Sequence, residues 1–88
     1  MFSRRTPTQK EMELFGELIR EARKGWKLTQ EDLAELMGCS LRWISRIERG
    51  KSSPNWKDTI CLMEILGLSL EEVVKKVELN VPVLTRRE

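Results

Sequence analysis

Three arginines that recur along one short segment are the side chains best able to do chemistry in this chain. Arg42, Arg46 and Arg49 are spaced by four and three residues, so on a helix they share one side. A guanidinium group donates hydrogen bonds in a planar fork that matches a phosphate or the edge of a guanine. The alternative is a solvated face that only keeps the protein soluble, which is the usual role of arginines on a helix.

Positive charge is concentrated around these arginines. From residue 40 to residue 57 the chain has five basic residues and a single acid, Glu48, whereas the net charge of all 88 residues is only +2. Affinity for nucleic acid depends on local positive charge, because each neutralised phosphate releases counterions. The segregated charge therefore favours a nucleic-acid partner over simple solvation.

Two short helices separated by a tight turn must position this basic face. Thr29, with Asp32 three residues later, and Ser40 each offer a side-chain oxygen to the unpaired N–H groups of a first helical turn. Between them, Gly38 can adopt the left-handed conformation that ends a helix. The sequence therefore predicts a helix-turn-helix.

A helical projection of residues 40–49 separates an aliphatic side from a basic side. The inward side holds Ser40, Ile44, Ile47 and Glu48. The outward side holds Arg42, Ser45, Arg46 and Arg49, with Leu41 and Trp43 at the borders.

This pattern resembles the Cro and phage-repressor type of helix-turn-helix, the XRE family of bacterial and phage transcriptional regulators. The resemblance extends from about Met12 to Val77. It implies an all-α fold, a compact five-helix bundle of the lambda-repressor-like DNA-binding type, whose third helix enters the DNA major groove. The residues that carry it are Arg23, Leu28, Gln30, Leu33, Ala34, Gly38, Ser40, Ile44, Ile47, Glu48, Gly50 and Pro54.

The resemblance also implies a role for individual residues. Arg23 and Glu48 match an internal salt bridge between the first and third helices, so Glu48 is interpreted as structural and not catalytic. Gln30 matches a glutamine that contacts phosphate and supports the recognition helix. The positions that meet base edges are Ser40, Leu41, Arg42, Trp43 and Arg46. The positions that contact phosphate are Gln30, Ser45, Arg49, Lys51 and Ser53, together with the N-terminus of the fourth helix.

The base-reading positions differ from those common in the family. Leu41, Arg42 and Trp43 stand where Gln, Ser, Thr or Asn is frequent. Arginine favours guanine and an aliphatic side chain favours the thymine methyl group, so we expect an operator that contains G and T. Trp43 either packs on a sugar or covers the second helix. Upstream, Gly25 is expected to supply the left-handed stop of the first helix.

Caps and apolar spacing predict helices at about 9–24, 30–37, 41–49, 56–66 and 70–77. These helices form one DNA-binding domain at 8–77, between an N-terminal arm (1–7) and an extended tail (78–88). The first helix carries apolar residues at Met12, Phe15, Leu18, Ile19 and Ala22, the fourth is expected to bury Trp56, Ile60, Met63 and Leu66, and the fifth carries Val73, Val74 and Val77.

The tail is strand-like, because Leu79, Val81 and Val83 alternate with polar residues or proline. A single strand is not stable alone. The tail could therefore stay loose, pair across a dimer axis or dock on a partner protein.

Composition argues against catalysis and metal binding. The 88 residues include no histidine or tyrosine, and Cys39 and Cys61 form no CxxC motif, so we expect no cofactor, no metal site and no catalytic site. No apolar run reaches the roughly 18 residues of a membrane span, and the first ten residues lack the core of a signal peptide. A cytoplasmic protein without membrane contact is expected.

The predicted function is sequence-specific binding to double-stranded DNA as a transcriptional regulator such as a repressor. A homodimer on a palindromic operator is the expected form, because a small domain gains buried apolar surface on pairing and duplex operators are symmetric. The alternative is a protein-interaction module, such as the DNA-binding antitoxin of a toxin pair or an adaptor to another regulator.

Overall fold

The chain forms five α-helices in a computed structural model that describes residues 6–79. The helices are α1 (Gln9–Gly25), α2 (Gln30–Met37), α3 (Leu41–Glu48), α4 (Trp56–Leu66) and α5 (Leu70–Val77). No strand occurs among the described residues, and the predicted all-α five-helix fold is confirmed. The predicted arm (1–7) and tail (78–88) lie largely outside the described residues, so this division of the chain stays a prediction.

Each helix begins at a polar residue that caps it. The side-chain oxygens of these residues accept a hydrogen bond from the backbone N–H three residues later, at 2.8–3.1 Å. Such a bond satisfies one of the N–H groups that a first turn leaves unpaired. The capping residues are Thr8, Thr29, Ser40, Asn55 and Ser69.

One core joins the first four helices. Ile19 of α1, Leu33 of α2, Ile44 and Ile47 of α3 and Leu62 of α4 are the largest fully buried side chains. α5 packs on α1 and buries Val73 and Val77, with Val74 half-buried. Because α3 contributes two of these five side chains, its orientation is fixed by the core.

α4 turns a different face to the core from the one its apolar spacing predicts. Trp56 and Ile60 are 77% and 56% exposed, so the prediction that they are buried is wrong. Leu62, which was not among the predicted residues, is fully buried, Leu66 is buried as predicted, and Met63 is half-buried. Apolar residues occupy almost every side of this helix. The packing of α4 on α1 and α2 therefore decides which face is buried, and local periodicity does not.

α1 ends later than predicted, at a residue other than glycine. Gly25 is the last helical residue, and the left-handed conformation falls on Lys27, with φ of 59°. The Leu28 N–H donates to the Arg23 carbonyl oxygen at 3.1 Å, and the Trp26 indole N–H donates to the Leu66 carbonyl oxygen at 2.8 Å. These two bonds hold the chain in the helix through Gly25 and leave Lys27 to make the turn. The prediction of a stop at Gly25 is wrong.

Neither a membrane span nor a cluster of metal ligands is found between residues 6 and 79. None of the five helices is both long and apolar enough to cross a bilayer. No three His, Cys, Asp or Glu side chains in this part of the chain lie close enough together to hold a metal ion. Cys39 and Cys61 are half-buried free thiols, and burial raises the pKa of the Cys39 thiol, which disfavours its reactive thiolate form.

Candidate nucleic-acid interface

The basic side of α3 faces away from the core. Ile44, Ile47 and Glu48 are buried, while Arg42 and Arg49 on the opposite side are exposed. Arg42 makes no side-chain hydrogen bond to any other described residue, and Arg49 returns its Nε–H to the Ser45 carbonyl oxygen of its own helix at 3.3 Å. Both guanidinium groups are therefore available to a ligand.

A buried ion pair fixes the inner side of α3 to α1. The Nε and Nη2 of Arg23 donate to the two carboxylate oxygens of Glu48 at 2.6 and 2.9 Å. Nη1 of Arg23 donates to the Leu28 carbonyl oxygen at 2.8 Å. The hydrogen bond to Glu48 raises the pKa of Arg23 above its usual value. This is the arrangement that the sequence resemblance implied, and it makes Glu48 a structural carboxylate.

Gln30, the first residue of α2, joins the same carboxylate. Its side-chain N–H donates to Glu48 Oε1 at 3.1 Å. An ionised carboxylate only accepts hydrogen bonds, so the amide nitrogen of Gln30 must face it. The half-buried glutamine thus links the start of α2 to the end of α3. Its second side-chain N–H is the donor left for the predicted phosphate contact.

Arg46 is held by two hydrogen bonds to the loop that follows α3. Its Nε donates to the Ser52 hydroxyl at 3.0 Å, and its Nη2 donates to the Lys51 carbonyl oxygen at 3.3 Å. The side chain is half-buried as a result. Two of the five N–H donors of a guanidinium are then engaged, and three remain free. Arg46 is therefore presented in one orientation, whereas Arg42 is exposed and no hydrogen bond to a described residue holds its side chain.

The α3–α4 loop continues the basic surface. Gly50 is buried against α1, where the Gln9 side-chain N–H donates to the Gly50 carbonyl oxygen at 3.0 Å. Directly after this anchor, Lys51 and Ser53 are exposed, and Asn55 opens α4 by capping it. The loop is tied down at Gly50, and its polar residues Lys51 and Ser53 are open to solvent directly after α3.

The three other predicted base-contact residues differ in accessibility. Ser40 is exposed, with its hydroxyl engaged in capping α3. Leu41 is 45% exposed and free to contact an apolar group. Trp43 is half-buried and packs against the core, which favours the interpretation that it covers the bundle over a contact with a sugar. Ser45, a predicted phosphate contact, is half-buried.

The two helices of the helix-turn-helix carry opposite charge. α2 has three exposed acids, Glu31, Asp32 and Glu35, and no base. α3 and the loop that follows it have four bases, of which only Arg46 is half-buried. An anionic polymer is attracted by the bases of α3 and its loop and repelled by the acids of α2, so the charge distribution favours contact through α3.

Three residues that shape this site were missed by the sequence analysis. Ser52 lies beside Ser53, and two adjacent serines give no local sign of which one turns toward Arg46. Gln9 is a first-turn residue whose contact with Gly50 is long-range. Gly16 did have a signal, because a glycine inside a helix is unfavourable unless close packing requires it. A Cβ there would lie 2.5 Å from the Ile47 carbonyl oxygen and 2.7 Å from that of Glu48.

Comparison with known proteins identifies the family of this chain. Residues 14–75 match the family model described as a helix-turn-helix domain. The chain is 35% identical over 65 residues to the HTH-type transcriptional activator BcrR of Enterococcus faecalis, covering 74% of this chain and 32% of that protein. It is 32% identical over 62 residues to an uncharacterized HTH-type transcriptional regulator of Bacillus subtilis, covering 70% and 53% respectively. The chain thus spans less than two thirds of the length of either relative.

Solved structures show the same architecture. The restriction-modification controller protein C.AhdI from Aeromonas hydrophila superposes with a TM-score of 0.66 at 28% identity, over 72% of this chain and 96% of that one. The clp gene regulator ClgR from C. glutamicum superposes with a TM-score of 0.70 at 24% identity, over 86% and 95% respectively, and supports the fold alone. With the family model covering residues 14–75 and the fold shared with these regulators, the chain belongs to the helix-turn-helix domain family.

Proposed function

We propose that this chain binds double-stranded DNA sequence-specifically and regulates transcription by occupying a promoter or operator. The observation that carries the proposal is the outward, basic side of α3, where Arg42 and Arg49 are exposed and Arg46 is held in one orientation. A helix of this kind fits the major groove, which is wide enough to admit it. The relatives in E. faecalis and B. subtilis, both named as transcriptional regulators, support it.

The residues divide between positioning and base reading. Arg49, Lys51 and Ser53, with Gln30 and the N-terminus of α4, contact phosphates and set the register of the protein on the duplex. Arg42 and Arg46 read base edges, and Leu41 contacts a thymine methyl group. Ser40 and Trp43 border this surface, and Trp43 acts chiefly by fixing α3 to the bundle. Binding of this kind needs no catalytic step.

The active form that we propose is a homodimer on a palindromic operator. Two copies of α3 would then enter successive major grooves about 34 Å apart, one helical turn of DNA. Pairing adds buried apolar surface to a small domain. A protein-interaction role through the tail depends on residues outside 6–79, and no contact among the described residues favours it.

Selection of bound sequences from a random duplex pool tests the proposal. The wild-type protein should enrich one motif, containing G and T, with two inverted half-sites whose centres are about ten base pairs apart. Enrichment of a single half-site would contradict the proposed homodimer but would still support sequence-specific binding. An unenriched pool would overturn the proposed function.

Removal of a base-reading arginine should relax specificity at one position. For Arg42→Ala and Arg46→Ala we expect discrimination at one base pair each to fall by about 1–3 kcal/mol, because a bidentate contact to guanine is lost. Competition binding on duplexes with single base-pair changes measures it. Lys75→Ala is the matched control, since Lys75 is an exposed cation on α5. An Arg42→Ala variant with the wild-type preference would contradict the assignment of that residue.

Removal of Lys51 should weaken binding to every sequence alike. Its ammonium group is exposed beside α3, and its loss removes about one phosphate contact, so the slope of log K against log salt should flatten by about one unit. The backbone carbonyl that holds Arg46 is kept in Lys51→Ala. Fluorescence titration at several salt concentrations measures the slope, with Lys75→Ala expected to leave it unchanged. A loss confined to particular sequences would show that Lys51 reads bases.

A further inference from the structure

The contact between Arg46 and the α3–α4 loop occupies one particular edge of the guanidinium group. The Nε–H and the neighbouring Nη2–H form the side edge of the planar fork, and these are the groups bonded to Ser52 and to the Lys51 carbonyl oxygen. The opposite pair of parallel N–H donors, one on Nη1 and one on Nη2, forms the end edge of the group and makes no hydrogen bond to a described residue. The end edge alone can make a bidentate contact with guanine O6 and N7.

The loop that holds Arg46 is itself rigidly attached. The Lys51 N–H donates to the Arg46 carbonyl oxygen at 2.8 Å, so the backbone of Lys51 bonds to Arg46 through both its N–H and its C=O. Gly50, with φ of 71°, lies against Glu13 of α1, and a Cβ at Gly50 would be 2.9 Å from the Glu13 Cα. The loop is therefore a fixed platform, and the Ser52 hydroxyl makes its only side-chain hydrogen bond to Arg46 in the described part of the chain.

From this arrangement, we infer that Ser52 is a specificity-determining positioning residue, which holds the side edge of Arg46 so that its end edge reads a base pair. The inference rests on the proposed function. A guanidinium fixed before binding loses less rotamer freedom on contact with DNA. It also reads one base position, whereas a mobile guanidinium can reach phosphates or neighbouring bases. Ser52 itself touches no DNA in this arrangement.

The experiment compares Ser52→Ala with Ser53→Ala on the duplex obtained by selection and on its single base-pair variants. Ser53→Ala removes a proposed phosphate contact, so it should weaken binding to all of these duplexes alike and leave discrimination between them unchanged. Ser52→Ala should lower discrimination about three- to tenfold at the base pair assigned by Arg46→Ala, and leave the Arg42 position unchanged. Ser52→Thr, which keeps the hydroxyl, should restore most of the loss. The double variant Arg46→Ala/Ser52→Ala should be no less selective than Arg46→Ala, because Ser52 acts only through Arg46.

A measurement on the protein without DNA distinguishes a positioning role of Ser52 from direct contact of Ser52 with DNA. In the ¹⁵N spectrum of the wild type and of Ser53→Ala, the Arg46 Nε–Hε signal should exchange slowly with solvent, and in Ser52→Ala this protection should be lost. Unprotected Arg46 in the wild type would overturn the inference, and so would unchanged selectivity of Ser52→Ala or an equal loss at every base pair. A wild-type protein with no preferred duplex would overturn the proposed function itself, which is a different result.

Discussion

Arg23→Ala is expected to lower the free energy of unfolding by about 3–5 kcal/mol, which is the usual consequence of removing one partner of a buried ion pair. Glu48 is 9% exposed, and without the two bonds from Arg23 its carboxylate keeps only the Gln30 amide as a side-chain partner. A small domain is stabilised by about 5–15 kcal/mol in total, so this loss is a large fraction of its stability. Urea unfolding followed by circular dichroism should therefore show that the variant unfolds at a much lower urea concentration than the wild type.

Two further variants separate the effect of burial from that of charge. Lys76→Ala removes a half-buried cation at the surface that pairs with the exposed Glu17 at 3.3 Å, and should lower the free energy of unfolding far less than Arg23→Ala does. The double variant Arg23→Met/Glu48→Leu leaves no unpaired charge in the core and should be more stable than Arg23→Ala. An Arg23→Ala protein that unfolds at the wild-type urea concentration would show that the carboxylate of Glu48 is not desolvated.

Gly16→Ala is the substitution with the second largest expected effect. The added methyl group would meet the backbone carbonyl oxygens of Ile47 and Glu48 at 2.5 and 2.7 Å, and backbone cannot move aside as a flexible side chain can. α1 and α3 would have to separate, which we expect to cost about 3 kcal/mol, at the upper end for overpacking. Because α3 would shift relative to the loop, DNA binding should weaken together with stability.

Gly25→Ala is the matched control for this substitution. Gly25 is helical, in the same helix, and nothing lies within 4 Å of a Cβ placed there. Alanine is the better helix former, so Gly25→Ala should be neutral or stabilising by up to about 1 kcal/mol. Thermal unfolding of the two variants side by side measures the difference. Equal melting temperatures for Gly16→Ala and Gly25→Ala would contradict close contact between α1 and α3.

The helices and their starts could be predicted from sequence because the physics that fixes them is local. A capping oxygen acts on the N–H three residues away, as at Thr29 and Asp32, and the information lies within one turn. The same holds for the separation of Ile44 and Ile47 from Arg42, since α3 is strongly amphipathic. The link from Arg23 to Glu48 spans 25 residues and was available only through the resemblance to a family.

The wrong predictions concern positions where contacts between residues far apart in the sequence decide between conformations that the local sequence allows equally. α4 is apolar on most sides, so its contacts with α1 and α2 decide that Leu62 is buried and Trp56 exposed. At the end of α1, the anchoring of Trp26 to α4 moves the left-handed residue from Gly25 to Lys27. Neither outcome can be obtained from residues within one turn.

The candidate site also combines features that the local sequence predicts with features that it does not. The location and charge of the site follow from the sequence, whereas the hydrogen bonding of each arginine side chain does not. Arg42 and Arg46 occupy equivalent places on the helical projection, yet one is free and the other is held by a loop that α1 anchors through Gln9. Loop conformation depends on such long-range contacts, and for this reason Ser52 could not be distinguished from Ser53 in advance.

Methylation interference on the selected duplex tests most directly whether α3 enters the major groove. Dimethyl sulfate methylates guanine N7 in the major groove and adenine N3 in the minor groove, so one experiment reports on both. We predict that methylation of particular guanines blocks binding of the wild-type protein, that Arg46→Ala relieves the block at one of them in each half-site, and that adenine methylation has no effect. Interference at adenines alone, or none at guanines, would contradict the insertion of α3 into the major groove.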